Sequence, residues 1–256
     1  EKARQERETR QTGHAPGPAT PAPAAAAPGP ETTSRVSLDE SVLRDHRIIT
    51  GLAPGPFTDS YNLLRTRILQ TFKENDWNTL AVTSPGASSG KTLTAINLAI
   101  SIAREVDYTV LLVDANLRQP WLVEQFGLEH RKGLSEYLTD DMPLDELLLR
   151  AARIEHLVIL PGGKPLSNSA EMLNSPKMSL LAEEMKSRYQ SRIIIYDQPP
   201  VLTSSDTLAF APHVDAALLV VEDGVTQKAE LEQAVELLSV TNIVGTVLNK
   251  ADGQPA

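Results

Sequence analysis

The chain has 256 residues, 41% of them hydrophobic and only 4% aromatic, which is enough for one aliphatic core of the kind found in buried parallel sheets. A formal charge of −9 argues against a nucleic-acid partner, because an acidic surface repels a phosphate backbone. Without cysteine there are no disulfides or thiolate metal sites, and no apolar run approaches the ~20 residues that span a bilayer, so a cytoplasmic setting is expected.

Residues 1–45 read as a disordered Pro/Ala-rich tail. Positions 2–10 are a mixed-charge run and 15–30 alternate Pro, Ala and Gly, with too little apolar surface to offset ordering entropy. The folded domain is expected over 46–256. Thr58-Asp59-Ser60 looks like a helix start, followed by apolar positions 61, 64, 68 and 72 at helical spacing.

The apolar run Leu80-Ala81-Val82 leads directly into Thr83-Ser84-Pro85-Gly86-Ala87-Ser88-Ser89-Gly90-Lys91-Thr92, and an amphipathic helix is expected over 93–103. A strand that turns through small residues into a helix opening on Gly-Lys-Thr is a phosphate cradle. Backbone amides of Gly86, Ala87, Ser88, Ser89, Gly90, Lys91 and Thr92 are expected to converge on a triphosphate, aided by the helix dipole. Lys91 is assigned to the β- and γ-phosphates, and the Thr92 hydroxyl to Mg²⁺. Pro85 stands where the strict pattern has its first Gly, with Gly86 one place later.

Further apolar, β-branched runs lie at 109–114, 156–160, 192–197, 216–221 and 243–248, separated by helical stretches. They are expected to be buried parallel strands of an α/β, doubly wound, mainly parallel sheet flanked by helices. Ser175-Pro176 marks the start of a helix running to about Ser187, and another helix is expected over 230–238. Two strands end in acids, Asp114 and Asp197, at the sheet edge where such folds bind ligands. Asp197 with Thr92 is the natural metal pair. Asp114 is a candidate to orient or deprotonate a nucleophile and to share the metal. The histidines His14, His46, His130, His156 and His213 show no ligand spacing.

These residues resemble the bacterial tyrosine kinases of polysaccharide export, above all the autokinases of exosortase-associated exopolysaccharide loci. The resemblance covers about Thr58 to Asn249 and is carried by residues 92–103, 110–120, Ala170-Glu171-Met172-Leu173-Asn174-Ser175 and Asp197-Gln198-Pro199-Pro200-Val201-Leu202. It implies a MinD-like P-loop NTPase fold and ATP with Mg²⁺. Lys91, Asp114 and Asp197 then fall in the family's three motifs. It also implies a partner, a membrane chain-length regulator (polysaccharide co-polymerase) that activates the kinase at the inner face of the plasma membrane. A homo-oligomer is a further expectation.

Four places depart from the family pattern. Asn116 replaces a second Asp, and Ser88 stands where Gly is usual. Asp59, Asn62 and Arg65 occupy the positions of a Glu-Arg-Arg assembly motif. The chain ends 251–256 without a tyrosine cluster. Tyr196 is expected to be buried, and Tyr61 and Tyr189 to be packing residues on helices. Two rival readings keep the fold: a MinD- or ParA-like ATPase switch, and a non-catalytic ATP-binding regulator. Asn249 is also counted among the nucleotide-binding residues, since Asn249-Lys250-Ala251-Asp252 matches a guanine-reading pattern; ATP is preferred because the resemblance includes this stretch in ATP users.

Overall fold

A computed structural model describes residues 34–49, 54–187 and 192–251. Its strands are β1 (Ser34–Val36), β2 (Thr79–Thr83), β3 (Thr109–Asp114), β4 (Leu149–Ala151), β5 (Leu157–Leu160), β6 (Arg192–Asp197), β7 (Ala216–Glu222) and β8 (Asn242–Asn249). Its helices are α1 (Glu40–Asp45), α2 (Pro56–Asn75), α3 (Lys91–Ala103), α4 (Leu122–Gln125), α5 (Leu134–Asp140), α6 (Leu144–Leu147), α7 (Ser169–Leu173), α8 (Pro176–Ser187), α9 (Asp206–Phe210) and α10 (Lys228–Leu237).

The strands form one sheet in the order β1-β4-β5-β3-β6-β2-β7-β8. Every pairing is parallel except β4 with β5. Side chains alternate between the two faces, as the pleat requires. Leu112 and Ile195 join Ile96, Leu98 and Ile100 of α3 in one core layer. Leu111, Ile194 and Tyr196 join Met178, Leu181 and Phe210 in the other. Burying each such Leu or Ile contributes about 1.5–3 kcal/mol, so both layers are strongly favoured. This is the doubly wound, mainly parallel α/β architecture expected from the sequence.

Local chemistry sets the element ends. Pro56 occupies the first turn of α2, and the Thr58 hydroxyl accepts the Gly55 amide at 2.9 Å, so the helix starts two residues before the expected Thr58. Tyr61, Ile68 and Phe72 bury its apolar stripe. At α8 the Ser175 hydroxyl accepts the Met178 amide at 3.2 Å, with Pro176 beginning the helix as expected.

Three expectations are corrected. Residues 34–45, assigned from the sequence to the tail, take part in the fold: β1 pairs with β4, and Val36, Leu38 and Leu43 are buried. Residues 1–33, which carry most of the proposed tail, lie outside the described residues, as do Tyr189 and Asp252. The short β4 joins β5 antiparallel, adding a strand to that side of the sheet. The run at 243–248 is a strand, but an outer one, half exposed rather than buried, because among the described residues β8 has a neighbour only on the β7 side.

Candidate active site

The phosphate loop leaves β2 between β6 and β7, at the carboxyl edge of the sheet. Neighbouring segments hold it from several directions. Thr83 Oγ1 donates to the Pro199 carbonyl at 2.7 Å, and the amides of Val201 and Leu202 donate to the carbonyls of Ser84 and Pro85 at 2.9 and 3.3 Å. Ser84 Oγ and Ser89 Oγ both donate to the Gly86 carbonyl, at 2.6 and 3.2 Å. The loop's Ser84, Pro85 and Gly86 carbonyls are thus engaged from within the protein.

Its amides are not. Among the described residues, the N–H groups of Gly86, Ala87, Ser88, Ser89, Gly90, Lys91 and Thr92 donate no hydrogen bond. Nor does the Lys91 ammonium form a hydrogen bond or ion pair there. Unpaired donors at the start of a thirteen-residue helix, beside a lysine, make an anion hollow. Gly90 shapes it. Its φ is +88°, and a Cβ there would lie 2.1 Å from Asn249 Nδ2. Ser88 also has a left-handed backbone, φ +64°, which costs a non-glycine residue roughly 1 kcal/mol. Gly86 has no such demand, since a Cβ there would meet nothing within 4 Å.

Asn249, placed from the sequence among the nucleotide-binding residues, sits at the end of β8 and donates from Nδ2 to the Ser89 carbonyl at 2.8 Å. That bond makes it a brace for the loop. Lys250 is paired with Glu222 at 2.9 Å.

Asp114 and Asp197 end adjacent strands and are partners in register. Asp197 Oδ2 accepts the Thr92 hydroxyl at 2.7 Å, while Asp197 Oδ1 is buried with no hydrogen-bond partner among the described residues. Burial pushes its carboxyl up from the usual range, opposed by the Lys91 charge and the Thr92 hydroxyl. Asp114 Oδ1 accepts the Asn116 amide at 3.1 Å, and Oδ2 accepts those of Trp121 and Leu122 at 2.9 and 3.0 Å. Its carboxyl is also raised, by burial and then by the Asp197 charge, against those three amides.

The donor set suits a hard cation. A hydroxyl and a carboxylate with a free buried oxygen stand together, and no cluster of three or more metal-ligating side chains occurs among the described residues. Mg²⁺ takes one or two protein carboxylates and completes its shell with water and phosphate oxygens. Thr92 and Asp197 are the side chains that suit such a cation.

The other expected residues are placed as follows. Asn116 contributes its backbone amide to Asp114. Arg118 pairs through Nε with the buried Asp206 at 3.2 Å. Arg65 is committed within the chain, to the Ser101 carbonyl at 3.2 Å and to Glu105 at 2.9 Å. Tyr61 and Tyr196 are buried, as expected. Sequence reasoning missed the brace from Asn249 to the loop and the amides of Val201 and Leu202 that clamp it. Gln198, fully buried beside Asp197 with neither amide atom paired among the described residues, was also passed over.

A strand, a small-residue loop and a helix opening on Gly-Lys-Thr, with acidic strand ends beside them on a doubly wound sheet, define a P-loop NTPase of the MinD-like kind. No protein-family model matches the chain. Tyrosine-protein kinase YwqD of Bacillus subtilis (strain 168) is 31% identical over 194 residues, 75% of this chain and 80% of that protein. Tyrosine-protein kinase etk of Escherichia coli (strain K12) is likewise 31% identical, over 193 residues, 75% of this chain but 26% of the relative. The solved kinase domain of E. coli ETK superposes with a TM-score of 0.70 at 25% identity, covering 87% of this chain and 92% of that one. The septum site-determining protein MinD of Pyrococcus horikoshii, solved with Mg-ADP, shares the fold at a TM-score of 0.56 and 20% identity, over 68% of this chain and 72% of that one. The chain belongs to the bacterial tyrosine-protein kinases.

Proposed function

We propose that the chain transfers the γ-phosphoryl group of ATP to a protein tyrosine with the help of Mg²⁺. In the cell it would regulate exopolysaccharide synthesis, chain length and export, beside a membrane chain-length regulator that activates it at the cytoplasmic face. Family membership supports the tyrosine chemistry. The observation that carries the site assignment is the buried Asp197 Oδ1, which like the amides of the phosphate loop has no hydrogen-bond partner among the described residues, while Oδ2 accepts the Thr92 hydroxyl.

Each residue has a role in this reading. The amides from Gly86 to Thr92 bind and orient the phosphates, and Lys91 draws negative charge off the β- and γ-oxygens. Thr92 and Asp197 would hold Mg²⁺, which supplies charge neutralisation between the phosphates. Asp114 has both oxygens occupied by backbone amides, so its part is to hold the segment from Asn116 to Leu122 beside the site. In the transfer the tyrosine oxygen forms a bond to the γ-phosphorus. The bond from that phosphorus to the β,γ-bridging oxygen breaks, its electron pair leaves with ADP, and the phenolic proton is released.

The test is incubation with γ-labelled ATP and Mg²⁺. Label on tyrosine that disappears in Lys91→Met is the expected result. Free phosphate without phosphotyrosine would instead favour an ATPase switch, and binding without turnover a nucleotide-sensing regulator.

A further inference from the structure

Beside the phosphate loop, at the carboxyl ends of β3 and β5, three loops meet in a surface with no role so far. They span residues 115–121, 128–133 and 161–168. Two buried carboxylates pin them together. Asp114 holds the first loop by its bonds to Asn116 and Trp121. Glu136, 5% exposed, accepts the Gly133 amide of the second at 2.7 Å and the Lys164 amide of the third at 3.0 Å. Backbone bonds complete the union: Leu134 N to Pro161 O and Leu166 N to Leu117 O, each 2.8 Å, and Ser135 N to Gly162 O at 2.9 Å. The fit is tight. A Cβ on Gly133 would lie 1.9 Å from the Pro161 oxygen, and one on Gly162 2.7 Å from Pro120 Cβ. The three loops behave as one pre-organised body.

What that body displays differs from the rest of the surface. Trp121 is 58% exposed. Arg131 and Lys132 are exposed and form no salt bridge among the described residues. Arg118 and Lys164 add cations that Asp206 and Asp140 partly answer, and Glu129 is the acid of the second loop. A chain of net charge −9 thus carries four basic side chains and an exposed indole on three joined loops next to its candidate phosphoryl-transfer site.

Resting on the kinase reading above, we infer that this platform selects the phosphoacceptor: a tyrosine within an acidic stretch of polypeptide. The tyrosine ring packs against Trp121, and flanking carboxylates meet Arg131 and Lys132. The occupant follows from three features. Among the described residues Tyr61 and Tyr196 are buried and Tyr108 and Tyr137 half-buried, so none stands free on the surface as an acceptor. The platform is tied to the site, because Asp114, which holds Trp121, is the register partner of Asp197. And its charge complements an acidic segment.

The test uses the full chain and one labelled tyrosine peptide made with Glu, Gln or Lys flanks. Binding is read by fluorescence anisotropy with Mg²⁺ and a non-hydrolysable ATP analogue, and phosphotyrosine formation is read separately with ATP. The Glu-flanked peptide is expected to bind about tenfold more tightly than the Gln-flanked one, with the preference shrinking at high salt. Trp121→Ala should raise Kd and KM about tenfold for all three peptides, leaving kcat and peptide-free ATP hydrolysis unchanged. The double change Arg131→Glu with Lys132→Glu should invert the order, favouring Lys flanks. Equal binding of the three peptides by the parent chain, or variants that bind as the parent does, would overturn the platform even where phosphotyrosine forms. The expected binding pattern without any phosphotyrosine would sink the kinase reading and leave the docking surface standing.

Discussion

The ends of β3 and β6 make an instructive pair. Both strands finish in a fully enclosed Asp, the two residues face each other in register, and burial raises both carboxyls. Their surroundings then part. Asp114 spends both oxygens on three backbone amides and so fixes the shape of the following loop. Asp197 spends one oxygen on Thr92 and keeps the other free beside Lys91. Position, residue type and depth are the same, so what separates the two acids is whether an oxygen is left without a partner among the described residues.

Paired substitutions are the strongest way to break that contrast. Asp197→Asn is expected to slow phosphotyrosine formation by ~10³-fold or more, through loss of the metal-side charge. The same change should leave the ligand-free Tm equal or higher, since a buried charge without full compensation is removed. Asp114→Ala should do the reverse to stability, costing about 2–4 kcal/mol in urea unfolding because three amides lose their acceptor. An Asp114 variant as stable as the parent would erase the distinction.

A second comparison sharpens the loop itself. Gly90→Ala meets both a left-handed backbone and Asn249, so calorimetry should show ATP affinity falling by roughly 10- to 100-fold. Gly86→Ala meets open space and should change stability by no more than ~0.5 kcal/mol. The smallest effect is a pH dependence at Glu136. Burial pushes its carboxyl up, but the amides of Gly133 and Lys164 and the Ser135 hydroxyl outweigh it and hold the carboxyl below its usual range. Its contribution is therefore complete above the unfolded value, ~4.3, and is lost as pH falls through the lower folded value. Glu136→Gln should flatten the acid limb of the stability curve by about 1 kcal/mol or less, seen as a smaller drop in Tm between neutral and acid buffer.

Much of the fold could be read from the chain because its signals are local. The bounds of β3 and β6 match runs of aliphatic residues closed by an acid, and the Ser-Pro start of α8 is visible as a cap. The strands β1 and β4 were not readable, being three residues each and paired with one another across more than a hundred positions of chain. The exposure of β8 was likewise hidden, because an apolar run does not say whether a strand has one neighbour or two. At the site, the order strand, loop, Lys-Thr and the two acids stood out. Which acid keeps a free oxygen did not, since that depends on where the amides of Trp121 and Leu122 come to rest. Glu136 left a partial trace as an acid three residues after Gly133, the spacing of a reciprocal helix cap.

The hydrogen bond from Asn249 to Ser89 couples a half-exposed outer strand to the cradle. Strain applied along β8 would be delivered to the candidate phosphate loop through one side chain, as by a lever. A spectroscopic label on that outer strand would therefore serve as a remote gauge of whether the hollow is filled.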